Sequence, residues 1–190
     1  NGGAALIKDP KLAQQIILET KKGAGKLPIS VKIRLGYGKD ILEEWLPYIL
    51  EVEPGMVTIH GRTKKEMSDV PARWNRIAVG MEIAKKMKSK TLIFGNGDVE
   101  SIEDAHLKAK QFNVDGVMLG RAIFGNPWLF SGKNLEEIPH SERFRVMVEH
   151  SSLFETLFNI GPSLHLFSPK LLAYKPFVHA AQAGFWHKNF

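Results

Sequence analysis

The chain of 190 residues contains no cysteine. That excludes a disulfide framework, a thiolate metal site and a cysteine nucleophile within these residues. No stretch approaches the ~18 uninterrupted apolar residues of a membrane-spanning helix, and Asn1 to Pro10 lack a charged segment followed by an apolar one. The expected setting is cytoplasmic, with no membrane anchor and no metal. Neither sign of charge dominates: 26 basic and 20 acidic residues leave +6, and the isoelectric point lies near 9.5. This balance suits an anionic partner but does not choose between RNA, a phosphate ligand and none. There is no low-complexity run and no internal repeat beyond the alternation described next. What is present is 44% hydrophobic residues with a mean hydropathy of −0.15, enough for one sizeable core in a globular chain.

Short apolar or β-branched runs alternate with longer amphipathic stretches, the pattern of βα units and a parallel sheet. The strand candidates are Ile29–Leu35 (ISVKIRL), Met56–His60 (MVTIH), Thr91–Phe94 (TLIF) and Gly116–Leu119 (GVML). Each is a brief continuous run of the kind expected when both faces of a strand are buried. Apolar residues at three- and four-residue spacing predict helices over Asp40–Val52, Trp74–Lys88 and Ser101–Phe112. Asp9-Pro10 ahead of Leu12–Thr20 marks an earlier helix start, and Ser101 followed by Asp104 marks another. From Ser131 the strand pattern ends, and Ser141–Phe158 reads as helix. Residues 151–190 carry only four charged side chains but eight of the 18 aromatics, interrupted by Pro162, Pro169 and Pro176, so no packed structure is assigned to that tail.

In parallel α/β sheets and barrels, ligands sit at the carboxyl ends of the strands. All four candidate ends are polar or glycine-rich. Lys32 and Arg34 share one face of the first strand by the period-two rule. A bound anion, or an electron-rich ring, would offset the cost of burying that pair, and a salt bridge to a carboxylate elsewhere is the plain alternative. The second strand ends in His60-Gly61-Arg62-Thr63, a rim suited to an anion or a base edge, although a histidine alone is as often structural. The third runs into Gly95-Asn96-Gly97-Asp98, where glycine permits close backbone approach and a helix start follows; alone this could be an ordinary turn. The fourth ends in Gly120-Arg121. Two consecutive loops of this type fit the phosphate site formed after the last two strands of a (β/α)8 barrel. The residues thus indicate a phosphate-bearing cofactor or substrate.

GGAALIKDP at Gly2–Pro10, SVKIRLG at Ser30–Gly36, TIHGRTKKEMSDVPARW at Thr58–Trp74, GNGDV at Gly95–Val99 and DGVMLGRAIFGNPWLF at Asp115–Phe130 together resemble the tRNA-dihydrouridine synthase family, bacterial B-type branch. ERFRVMVEHSSLFE at Glu142–Glu155 is similar to the start of that family's C-terminal helical domain. The resemblance implies an α/β fold corresponding to the second half, strands five to eight, of a TIM (β/α)8 barrel, followed by a helical C-terminal segment. It implies a partial FMN-binding domain over 1–131 and a tRNA-binding-type helical domain over 132–190 that is truncated or divergent after about residue 158. The implied activity is FMN-dependent reduction of tRNA uridines to 5,6-dihydrouridine, with NADPH as reductant and a flipped-out base. Carried over residue by residue, Lys32 would contact the flavin ring, where a cation stabilises charge on the reduced form. Asn96, Gly97, Asp98, Gly120 and Arg121, joined by His60, would line the ribityl phosphate region, and Arg34 and Arg62 would face the substrate uridine or its phosphates.

The resemblance also places the proton-donating cysteine ahead of Asn1, so no catalytic residue is assigned here and the chain alone is expected to be inactive. A half barrel exposes strand edges, which predicts self-association. Two other readings stand beside this one. The first is a different phosphate- or flavin-binding barrel oxidoreductase, or an isomerase, against which the HGRT turn joined to VPARW argues. The second is a non-catalytic RNA-binding fragment. For that, residues 1–130 hold 20 basic and 15 acidic side chains while 131–190 hold six and five, so the tail is a weak electrostatic platform. Lys64, Lys65, Lys85, Lys86, Lys88 and Lys90 read as solvated faces with no specific role.

Overall fold

The computed structural model describes residues 3–157. Within the first of two compact units, Asn1–Gly120, a 3-10 helix at Gly3–Lys8 leads into α1 (Pro10–Ala24), β1 (Ser30–Arg34), α2 (Leu42–Glu51), β2 (Met56–His60), α3 (Trp74–Lys86), β3 (Leu92–Asn96), α4 (Ile102–Phe112) and β4 (Gly116–Met118). The four strands form one parallel sheet in the order β1-β2-β3-β4. This is an α/β arrangement compatible with part of a TIM barrel.

Local chemistry explains the boundaries. Asp9 accepts a hydrogen bond from the Leu12 amide at 3.0 Å with Pro10 as the first helical residue, starting α1 where the sequence places it. Ser101 accepts from the Asp104 amide at 3.1 Å to start α4, which ends at left-handed Asn113. β3 departs from expectation by running two residues further, through Gly95 and Asn96. Thr91 instead lies outside the strand, where its hydroxyl donates to the Pro54 carbonyl at 2.8 Å. The pairing of Ile59 with Gly95 and of His60 with Asn96 extends the ladder. Gly95 is required there, because a Cβ would lie 2.4 Å from the Trp74 ring.

The expectation of strands buried on both faces is corrected. Ile33, Val57, Ile59 and Ile93 point to one side, where they form a core with Leu42, Leu46, Ile49, Ile77 and Met81 of α2 and α3. Of the alternate positions, Thr58 is buried, whereas Lys32, Arg34, His60, Phe94, Asn96 and Met118 are exposed or half-buried. The cause is that the packed helices contribute their apolar stripes to one sheet face, leaving the other to a mostly polar set that also includes Phe94 and Met118.

The second unit spans Arg121–Phe190. It contains short 3-10 turns at Arg121–Ile123 and Leu135–Glu137, then α5 (His140–Leu157). Arg143 ties the start of α5 to the preceding turn by donating to the carbonyls of Ile138 and Leu135. The predicted end of this helix at Phe158 and the tail beyond it lie outside the described residues. Among the described residues, no helix is long and apolar enough to cross a membrane.

Gly95→Ala is expected to lower unfolding stability by about 1–3 kcal/mol in urea titration, because the added methyl group has no room. Gly120→Ala, with nothing within 4 Å of the added carbon, is expected to stay within about 0.5 kcal/mol. Equal effects at the two positions would contradict the packing described.

Candidate functional site

Parallel register sets two rows of side chains across the polar face. Lys32, Thr58, Phe94 and Gly116 form one row, and Arg34, His60, Asn96 and Met118 form the next, nearer the carboxyl ends. The first row carries an exposed ammonium without a protein partner and one buried, unsatisfied hydroxyl. Lys32 has no hydrogen-bond or ion-pair partner among the described residues, and the buried Thr58 hydroxyl, in a residue 1% exposed, has no hydrogen bond. Desolvation, then the charge of Arg34, lowers the Lys32 pKa from the ordinary lysine value. Arg34 donates to the Thr63 carbonyl at 2.9 Å and the Met67 carbonyl at 3.4 Å. Among the described residues, neither cation uses the carboxylate salt bridge that was the plain alternative.

Arg62 organises the loop end. Only 3% exposed, it donates from Nη2 to both carboxylate oxygens of Asp98 and from Nε to the Val70 carbonyl. Its Nη1 lies 3.2 Å from Nε2 of His60. A guanidinium only donates, so Nε2 is the acceptor and the imidazole proton belongs on Nδ1. The His60 pKa is lowered to about 4, first by burial and then by the charges of Arg34, Lys32 and Arg62, with Asp98 opposing. His60 is therefore neutral at pH 7. The rim combines three cations, one neutral imidazole and the Asp98 carboxylate, an electrostatic setting for an anion or an electron-rich ring.

The GNGD segment is held from three sides. Asn96 Nδ2 donates to the Met118 carbonyl at 2.7 Å, and the Gly97 carbonyl accepts from the Trp74 indole at 2.8 Å. Asp98 accepts from the Ala72 amide at 2.7 Å as well as from Arg62. Gly97 has φ of +121°, and a Cβ there would lie 2.6 Å from the Ala72 side chain and 3.1 Å from the His60 ring. Only glycine fits that position. The turn after β2 is pinned in the same way: Glu66 takes the Thr63 amide at 2.7 Å and a two-pronged pair with Arg73 at 2.7 and 3.0 Å, which hold its carboxyl well below the usual range.

Lys32, Arg34, His60, Arg62, Asn96, Gly97 and Asp98 are thus brought to one end of one sheet. Gly120 ends the first unit and is exposed, while Arg121 opens the second unit as an exposed residue. Sequence reasoning missed Thr58 and the bracing by Ala72 and Trp74. The signal for Thr58 was available, since it occupies the same alternate face as His60 within MVTIH. Among the described residues, no group of three or more acidic or histidine side chains is placed to hold a metal ion.

A parallel βα array with a cationic rim at its strand ends defines an α/β protein compatible with part of a TIM barrel. The dihydrouridine synthase (Dus) family model matches residues 1–183, and the chain belongs to this family. It is 39% identical over 153 residues to a probable tRNA-dihydrouridine synthase of Staphylococcus aureus (strain Mu50 / ATCC 700699), covering 80% of this chain and 46% of that protein. It is 41% identical over 129 residues to probable tRNA-dihydrouridine synthase 2 of Bacillus subtilis (strain 168), covering 67% of this chain and 39% of that one. The chain spans less than half the length of these curated relatives.

Asp98→Ala leaves the Arg62 guanidinium buried without its anion. Because the Asp98 side chain is 36% exposed, the expected loss is about 2–3 kcal/mol, below the ~3–5 of a fully buried pair. Urea denaturation reads this, and a loss under half a kcal/mol would refute the central place given to the pair. For His60, the native pKa lies below the unfolded one, so between pH 6.5 and about 4 the unfolded chain binds the extra proton. Stability should therefore fall as pH is lowered through that window. The part of this slope that disappears in His60→Gln, with a direct NMR titration of the ring, checks it.

Proposed function

We propose that the chain carries the flavin-facing and RNA-facing part of an FMN-dependent tRNA-dihydrouridine synthase. The observation that supports this most directly is the unpartnered Lys32 ammonium beside the unsatisfied Thr58 hydroxyl, on the polar face of a sheet whose end is rimmed by Arg34 and His60. These groups fit an FMN ring system, which presents carbonyl oxygens and ring nitrogens as hydrogen-bond acceptors. When bound and reduced by NADPH, FMN would supply the hydride that adds to C6 of a tRNA uracil, with a proton completing the reduction at C5.

The chain's own residues have separable tasks. Lys32 donates to an electron-rich ring edge and opposes negative charge there. Neutral His60, with its proton on Nδ1, offers a donor without adding a fourth charge to the rim. Gly97, which leaves the His60 ring uncrowded, lets backbone approach a phosphate closely, and Asn96 and Asp98 hold that backbone in shape. Arg34 faces the uridine or its neighbouring phosphates. Arg62 acts as a positioning residue, because its donors are committed to Asp98, Val70 and His60. Gly120, at the end of the first unit, is assigned to the phosphate side, and the same assignment is carried to Arg121 by its motif alone. No cysteine is available among the 190 residues to protonate C5, so turnover requires an acid from outside this sequence.

Flavin absorbance titration of the purified chain tests the reading. The unaltered chain should bind FMN, and Lys32→Met should weaken binding by about 10- to 100-fold, the equivalent of ~1.5–3 kcal/mol for a hydrogen bond to a charged group. With FMN, NADPH and unmodified tRNA, no dihydrouridine should form. Absence of flavin binding would sink the cofactor assignment, and dihydrouridine formation would sink the claim that an external acid is needed.

A further inference from the structure

We propose that Lys8, Tyr37 and Lys64 form a preorganised clamp for RNA backbone phosphates beside the candidate site, an inference that rests on the tRNA reading above. The Lys8 ammonium lies 3.9 Å from the centroid of the Tyr37 ring, and that of Lys64 lies 5.3 Å from it. Two exposed lysines from distant parts of the chain thus converge on one aromatic side chain. Like charges gathered on one ring repel, and the ring quadrupole answers only part of that repulsion. A shared anion would answer the rest.

Nothing in the surrounding loops supplies that anion. Neither lysine has an ion pair among the described residues. The acids nearest in sequence are engaged: Asp9 caps α1, Asp40 pairs with Arg76 at 2.7 Å, and Glu66 pairs with Arg73. Asp69, exposed on the same loop as Lys64, forms no ion pair with either lysine. The backbone that carries Tyr37 and Lys64 is also fixed. The Lys64 amide donates to the Gly36 carbonyl and the Lys65 amide to the Tyr37 carbonyl, each at 2.9 Å, so the loops after β1 and β2 are laced together. Arg34, at the end of β1, reaches the same loop through the Thr63 carbonyl.

The chemistry selects phosphate over base. The cations occupy the ring that a base would need for stacking, so Tyr37 serves as an anchor that limits the freedom of two long side chains before binding. Ammonium groups then read charge without reading sequence.

Fluorescence anisotropy with an unmodified tRNA transcript and the full chain, across 50–200 mM salt, tests the clamp. Loss of two phosphate contacts in Lys8→Gln/Lys64→Gln should lower the slope of log affinity against log salt by about 1.4–1.8. Lys85→Gln/Lys86→Gln, which removes the same charge from the last turn of α3, should leave the slope nearly unchanged. Tyr37→Phe should bind as the unaltered chain does, and Tyr37→Leu should weaken binding. An equal effect from the α3 pair, or no effect from the clamp pair while the unaltered chain binds, overturns the clamp alone. Absence of salt-dependent binding by the unaltered chain overturns the RNA reading together with the clamp.

Discussion

The rim of this molecule depends on one buried guanidinium. Arg62 sits at the first turn after β2, yet its donors reach β3's loop through Asp98, the approach to α3 through the Val70 carbonyl, and the end of β2 itself through His60. Burying that charge without a partner would be costly, so the surrounding loops must close on it together. Asp98 transmits the constraint by also taking the Ala72 amide, and the neighbouring Trp74 indole fixes Gly97. The same loops carry the groups assigned to the ligand.

Electrostatics and packing are divided between the two sheet faces. One face holds the apolar core with the helices, and the other collects Lys32, Arg34 and His60 around an unsatisfied threonine hydroxyl. The accumulated positive charge suppresses protonation of His60, so the imidazole remains a neutral hydrogen-bonding group. A site that needs both a permanent charge and a neutral donor obtains them from adjacent strands at the same register level.

Most of the architecture was legible because βα periodicity and helix caps are local signals. Asp9-Pro10 and Ser101 start helices for reasons contained within four residues. The extension of β3 through Asn96 was not legible, since glycine in a strand reads as a turn until Trp74 is known to lie against it. The candidate site residues were chosen for their place at strand ends and their motifs, and neither signal gives their partners. Whether Arg62 points to a ligand or into the protein depends on Asp98, 36 residues away, and no pattern in the chain announces that pairing. Lys64 reads as ordinary solvated charge for the same reason, because Tyr37 brings it together with Lys8 only after the loops fold. One-sided burial of the sheet likewise depends on which face the helices choose.

The strand order β1-β2-β3-β4 follows the order of the chain. Each strand therefore docks on the one made just before it, through a single helical crossover, and no strand waits for a distant segment to fill a gap between neighbours. Such a sheet pairs sequence neighbours only, so each closure spans one helical crossover. Its assembly resembles stacking more than weaving. A ribosome delivering the chain from its amino end would present each βα unit to an edge already in place, and the Arg62–Asp98 lock would shut only when the third strand had arrived.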